Sequence, residues 1–112
     1  MTDNIVSKNG QFQAWLSEQG NFCIFRRVGN GEWQFLWSSK TSGSWVSKVA
    51  VTWTGELVVF GVNAKKLWAQ GAANTEGEAE LTMQDDGNLV LARDGNNLWT
   101  AEINVRGLRP CL

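Results

Sequence analysis

Three tryptophans, Trp37, Trp68 and Trp99, stand 31 residues apart in both steps, and each closes a segment of similar pattern. The segments read "LSEQGNFCIFRR" to "FLWSS", "VTWTGELVVFGV" to "KLWAQ", and "TMQDDGNLVLAR" to "NLWTA". Each holds an apolar-alternating stretch, a turn on Gly20, Gly55 or Gly87, a second alternating stretch, a polar loop and a short run ending in Leu-Trp. Self-similarity at a fixed period means one supersecondary unit used repeatedly, and no single unit can bury its apolar face alone. Alternation with period two makes the units β-structure and assigns their faces. The inner faces are Ala14, Leu16, Phe22 and Ile24, then Val49, Val51, Leu57 and Val59, then Leu81, Met83, Leu89 and Leu91. Three small sheets around a pseudo-threefold axis bury all three faces at once and bring the three tryptophans together. Each ring buries roughly 200 Å². A β-trefoil is the rival threefold architecture, but units of about 31 residues look short for its four strands and loops.

Composition agrees with an all-β chain of one domain. The 112 residues include 12 Gly and one Pro, which favour tight turns over long helices. The domain spans 1–112, with repeats at 11–40, 44–72 and 78–102. A net charge of −1 offers no electrostatic footprint for nucleic acid. No apolar run nears the roughly 20 residues of a membrane-spanning helix. The start "MTDNIVSKNG" lacks the basic and apolar regions of a secretory signal. That reads as cytoplasmic, already processed, or exported by another route.

The outer faces differ from unit to unit. The third carries Gln84, Asp86, Asn88, Val90 and Ala92 at every second position. Amides donate and accept hydrogen bonds, and an ionised carboxylate accepts strongly. Such a row suits the hydroxyls of a pyranose, with Val90 against the C–H face of the ring. A solvated strand face beside an Asp-Gly turn shows the same alternation. The corresponding positions are Thr52, Thr54, Glu56, Val58 and Phe60 in the second unit, and Ser17, Gln19, Asn21, Cys23 and Phe25 in the first.

Gln84-x-Asp86-x-Asn88-x-Val90 resembles the Q-x-D-x-N-x-V-x-Y signature of the bulb-type (monocot, snowdrop-like) mannose-binding lectins. The resemblance extends over nearly the whole chain, through the "DNI" start at Asp3, the three units and the Leu-Trp that ends each. It implies a β-prism II of three antiparallel four-stranded sheets with pseudo-threefold symmetry. It also implies metal-free binding of mannose or mannose-rich glycans and glycoproteins by Gln84, Asp86, Asn88 and Val90. The tyrosine of the signature is Ala92 here, and the chain has no Tyr, so no unit is complete. One lost hydrogen bond contributes on the order of 1 kcal/mol, so one weak or altered site is expected on the third unit, and Ala92 leaves space for a larger glycan. The second unit retains only Val58 of the signature and the first only Asn21, which makes these degenerate candidate positions. Family members often exchange the C-terminal strand between subunits, so 103–112 is a candidate exchanged strand in a homodimer or higher oligomer. The family disulfide joins positions near Gly20 and "SWVS", where this sequence has no cysteine. Cys23 and Cys111 are either two thiols or a long-range pair, the latter requiring Cα atoms within about 7 Å.

Catalysis is not expected. Without histidine there is no histidine-based triad, and the adjacent Asp85 and Asp86 do not flank a substrate as glycosidase carboxylates must. No cofactor or metal is implied, since "DDGN" and "DGNN" read as tight turns and lack calcium-loop spacing. Arg26, Arg27, Lys65 and Lys66 read as solvated charges. The competing function is a lectin-fold structural or toxin-like interaction protein that has lost monosaccharide binding, as two degenerate units suggest.

Overall fold

The computed structural model describes residues 4–43, 45–71 and 79–101. Its strands are β1 (Ile5–Val6), β2 (Phe12–Leu16), β3 (Phe22–Val28), β4 (Glu32–Ser38), β5 (Val46–Val51), β6 (Glu56–Gly61), β7 (Lys66–Gly71), β8 (Glu80–Met83), β9 (Leu89–Arg93) and β10 (Asn96–Thr100). All pairings are antiparallel. The first sheet has the order β1-β2-β3-β4, the second β5-β6-β7 and the third β8-β9-β10. Each repeat thus supplies one sheet of a β-prism II. The family resemblance implies four strands per sheet. Among the described residues the second and third sheets have three each, and segment 103–112 lies outside them.

One turn, used three times, starts each central strand. Ser17 N–H bonds Asn21 O (2.8 Å), Thr52 N–H bonds Glu56 O (2.7 Å) and Gln84 N–H bonds Asn88 O (2.9 Å). Inside each, the glycine N–H returns to the first residue's carbonyl. Gly20, Gly55 and Gly87 have φ of +87°, +89° and +93°. A three-residue hairpin loop of this kind ends on a left-handed residue, which glycine adopts without a Cβ penalty.

The Leu-Trp pairs owe their placement to a β-bulge. Ile24 pairs with Trp37 and Phe25 with Phe35, so Leu36 has no partner. Val59 pairs with Trp68 and Phe60 with Lys66, which leaves out Leu67. Leu91 pairs with Trp99 and Ala92 with Asn97, which leaves out Leu98. A regular strand would send adjacent residues to opposite faces, whereas an extra residue lets both turn the same way. All three Leu-Trp pairs accordingly join the core.

The expected inner faces are the ones that pack. Ala14, Phe22, Ile24, Val49, Leu57, Val59, Met83, Leu89 and Leu91 are buried, and Leu16, Val51 and Leu81 pack against them. At the axis the rings of Trp37, Trp68 and Trp99 lie 5.5, 5.6 and 5.5 Å apart by centroid, with interplanar angles of 65°, 59° and 78°. Each ring turns an edge toward a neighbour's face, the arrangement that the aromatic quadrupole favours by about 0.5–1.5 kcal/mol per pair beyond burial. Cys23 is buried and disulfide-bonded. Cys111, the other cysteine of the sequence, lies outside the described residues.

Trp99→Ala removes one member of the ring triangle and should destabilise the fold by about 3–5 kcal/mol, read as a lower urea midpoint. Gly71, with φ +111°, has Gly55 O only 2.5 Å and a Leu91 methyl 2.9 Å from where a Cβ would sit, whereas Gly95, with φ +80°, has open space there. Both alanine variants carry left-handed strain of about 1–2 kcal/mol. Gly71→Ala should therefore show a clearly lower melting temperature than Gly95→Ala.

Candidate functional site

The three outer faces can be compared row by row, because register places equivalent positions side by side. In the third sheet one row is Thr82, Val90 and Thr100, and the next is Glu80, Ala92 and Asn97. Thr82, Val90, Glu80, Ala92 and Asn97 of these rows line an open cavity of about 820 Å³ that runs from Gln84 at one end to Asp94, Gly95 and Asn97 at the other. Val90 is nearly buried as part of the floor, while Gln84, Glu80, Thr82 and Asn97 are exposed at its sides.

The motif residues do not all stand on a strand as alternation suggests. β8 ends at Met83 and β9 begins at Leu89, so Gln84, Asp86 and Asn88 belong to the turn and only Val90 is within a strand. The physical reason is local. Gly87 enters left-handed space, and the Asp86 carboxylate caps the returning chain. Its Oδ1 accepts from Asn88 N–H at 2.9 Å and its Oδ2 from the Asn88 amide at 3.3 Å. Side-chain capping of this kind is how Asp competes with a ladder. Gln84 lines the cavity; Asp86 and Asn88 sit on the turn beyond it.

A partner from far along the chain holds that turn. Asn9 N–H donates to Asp85 Oδ1 at 2.9 Å, and the Asn9 amide donates to Asp85 O at 3.3 Å. Asn9 is itself fixed through Oδ1, which accepts from Ser7 Oγ (2.7 Å) and Gln11 N–H (3.0 Å). Adjacent Asp85 and Asp86 thus divide the work, one fastening the turn to the β1–β2 loop and the other shaping it. No local sequence pattern links Asn9 to Asp85 across 76 positions.

The degenerate candidates sit in different surroundings. Asn21 is buried, and its Oδ1 accepts from Thr41 N–H (3.3 Å) and Ser39 Oγ (3.4 Å). The Thr41 hydroxyl in turn donates to Gly20 O at 2.6 Å. Val58 is fully buried in a row with Ala50 and Ala69. Beside it Phe60 lies under the Lys48 ammonium at 5.6 Å, and Lys66 pairs with Glu56 at 2.7 Å. Lys66 is the exposed strand-end charge expected, and it also takes part in this ion pair. Arg26 likewise donates to Gln34 Oε1 at 2.7 Å, and Arg27 sits 5.8 Å from the Trp33 ring centre.

The first sheet's outer face is aromatic. Phe25 stacks on Trp15 at 3.9 Å and 14°, Trp33 meets Trp15 edge-on, and Phe35 meets Phe25 at 6.1 Å. Polar outer residues open to solvent beside an apolar floor therefore characterise the third sheet. Among the described residues no group of His, Cys, Asp and Glu is arranged to hold a metal ion. Glu80, Thr82 and Asn97 escape a motif search, although Glu80 and Thr82 continue the two-residue period backwards from Gln84.

No family model matches the chain. Over 103 residues it is 27% identical to the B-type lectin plumieribetin of Scorpaena plumieri, an alignment covering 91% of this chain and 86% of that protein. In backbone it is similar to the Japanese Marasmius oreades lectin, with a TM-score of 0.73 and 24% identity over 95% of this chain and 83% of that one. A lectin from Mycobacterium smegmatis, described as a domain-swapped dimer, aligns at a TM-score of 0.48 and 29% identity over 90% and 89% of the two chains, too distant in backbone to carry weight. The chain is therefore lectin-like in both sequence and fold.

Proposed function

We propose that this protein is a carbohydrate-binding lectin that takes mannose or mannose-rich glycans on the outer face of its third sheet, without catalysis and without a metal ion. The observation that carries the reading is the open polar cavity bordered by Gln84 and floored by Val90, next to the Asp86–Asn88 turn. Similarity to a B-type lectin supports it.

In this reading Gln84 both donates to and accepts from sugar hydroxyls. An ionised Asp86 has about four lone-pair sites. Asn88 occupies two of them, and the others accept from hydroxyls. These are charge-assisted bonds, the stronger kind. The Asn88 carbonyl oxygen accepts while its amide stays on Asp86, and Val90 meets the C–H face of the ring. Because the turn is fastened by Asn9 and by its own cap, little ordering entropy is lost on binding. A single open site of this size is weak alone, so a homodimer or larger assembly raises apparent affinity through linked sites.

A second reading has its own observation. The first outer face is covered by stacked rings and the second by an ion pair. Such faces suit a lectin-fold interaction protein that has lost monosaccharide binding.

Calorimetry with methyl α-mannoside and oligomannose decides between them, using wild type, Asp86→Ala and Gln84→Ala. Asp86→Ala should weaken binding roughly 10- to 100-fold, as expected for lost hydrogen bonds to a charged group of about 1.5–3 kcal/mol. Gln84→Ala should weaken it less and keep the turn, which Gln84 forms through its backbone. Chelator should change nothing. Absence of binding in folded wild type would overturn the lectin reading in favour of the second.

A further inference from the structure

We infer that the third sheet carries a second sugar subsite beside the first, built on Ala92 between Glu80 and Asn97, so that the ligand is an oligosaccharide lying along β9 rather than one terminal hexose. This rests on the lectin reading of the same face. Register is the first support. Val90 between Thr82 and Thr100 and Ala92 between Glu80 and Asn97 are successive outer rows of one sheet. Each pairs an apolar floor with hydrogen-bonding side chains, and they are about 7 Å apart along the strand. Glu80 accepts from hydroxyls, and Asn97 both donates and accepts.

Size is the second support. An open cavity of about 820 Å³ falls toward the upper part of the roughly 300–1,000 Å³ range of small-molecule sites. Much of its lining lies past Val90, at Ala92, Arg93, Asp94 and Asn97. The turn at Asp94 and Gly95 closes that end and limits how far a chain can extend.

The other two sheets supply the third support, because the same position is filled in both. Phe25 lies under Trp15 at 3.9 Å, and Phe60 lies under Lys48 at 5.6 Å with Lys66 opposite it in register. The third sheet alone presents a methyl group there. The bulge that removes Leu98 from the ladder sets Asn97 directly across from Ala92.

The test compares methyl α-mannoside with α1,2-, α1,3- and α1,6-linked mannobiose by calorimetry on the full chain. Wild type should bind at least one disaccharide tenfold or more tighter than the monosaccharide. Asn97→Ala and Glu80→Ala should remove most of that gain and leave monosaccharide affinity within twofold. Ala92→Phe, which copies the other two sheets, should abolish the gain while the monosaccharide still binds. Thermal melts of each variant establish that it is folded; the substituted side chains of Glu80 and Asn97 are exposed. Equal affinity for mono- and disaccharide in wild type, or an equal loss of both in Asn97→Ala, overturns the second subsite and leaves the lectin reading standing. Absence of binding to every sugar by folded wild type overturns both.

Discussion

The packing of Trp37, Trp68 and Trp99 against one another on the axis is the contact on which the rest of the molecule depends. Each ring touches the other two, so no sheet can shift without opening two aromatic contacts. The rings reach the axis because a bulge precedes each of them. It frees Leu36, Leu67 and Leu98 from the ladder and lets leucine and tryptophan enter the core together. In a small domain with a modest core, this adds a leucine to what the last strand of each sheet buries.

The same bulges shape the outside. Beyond each one the register brings a particular pair together: Phe25 with Phe35, Phe60 with Lys66, Ala92 with Asn97. The inner faces stay interchangeable because they answer to one shared axis. The outer faces have no such constraint and have diverged into stacked rings, an ion pair beside a capped ring, and an open polar trough. Threefold architecture and a single candidate sugar face are therefore compatible, since core packing and surface chemistry draw on alternate residues of the same strands.

Polar groups with tertiary partners also explain why equivalent motif positions differ in what they do. Asn21 is drawn into a buried network with Ser39 and Thr41, whose hydroxyl satisfies the Gly20 carbonyl. Asn88 stays at the surface and bonds only within its own turn among the described contacts. Buried polar atoms must find partners, while exposed ones are served by water. Asp85 gives the candidate site a brace from the other end of the chain, which positions the turn without touching the cavity.

The sequence by itself determined the three-sheet fold, its inner faces and the meeting of the tryptophans. Those follow from period-two alternation, from the glycines at 20, 55 and 87, and from the repeat of 31, all of which are local or periodic signals. The Leu-Trp pairs broke the alternation in all three units, and that was the legible trace of the bulges. Tertiary structure alone decided where the capped turn of Gln84, Asp86 and Asn88, itself made locally by Gly87 and the Asp86 carboxylate, is fastened against the rest of the fold. It also decided that Asn9 holds Asp85, and that Glu80, Ala92 and Asn97 share a row. Hydrogen bonds across 76 residues leave no periodic mark on a sequence, and the Leu-Trp trace of a bulge does not name the outer pairs that it brings opposite one another. They are set by which strands the closed core brings side by side.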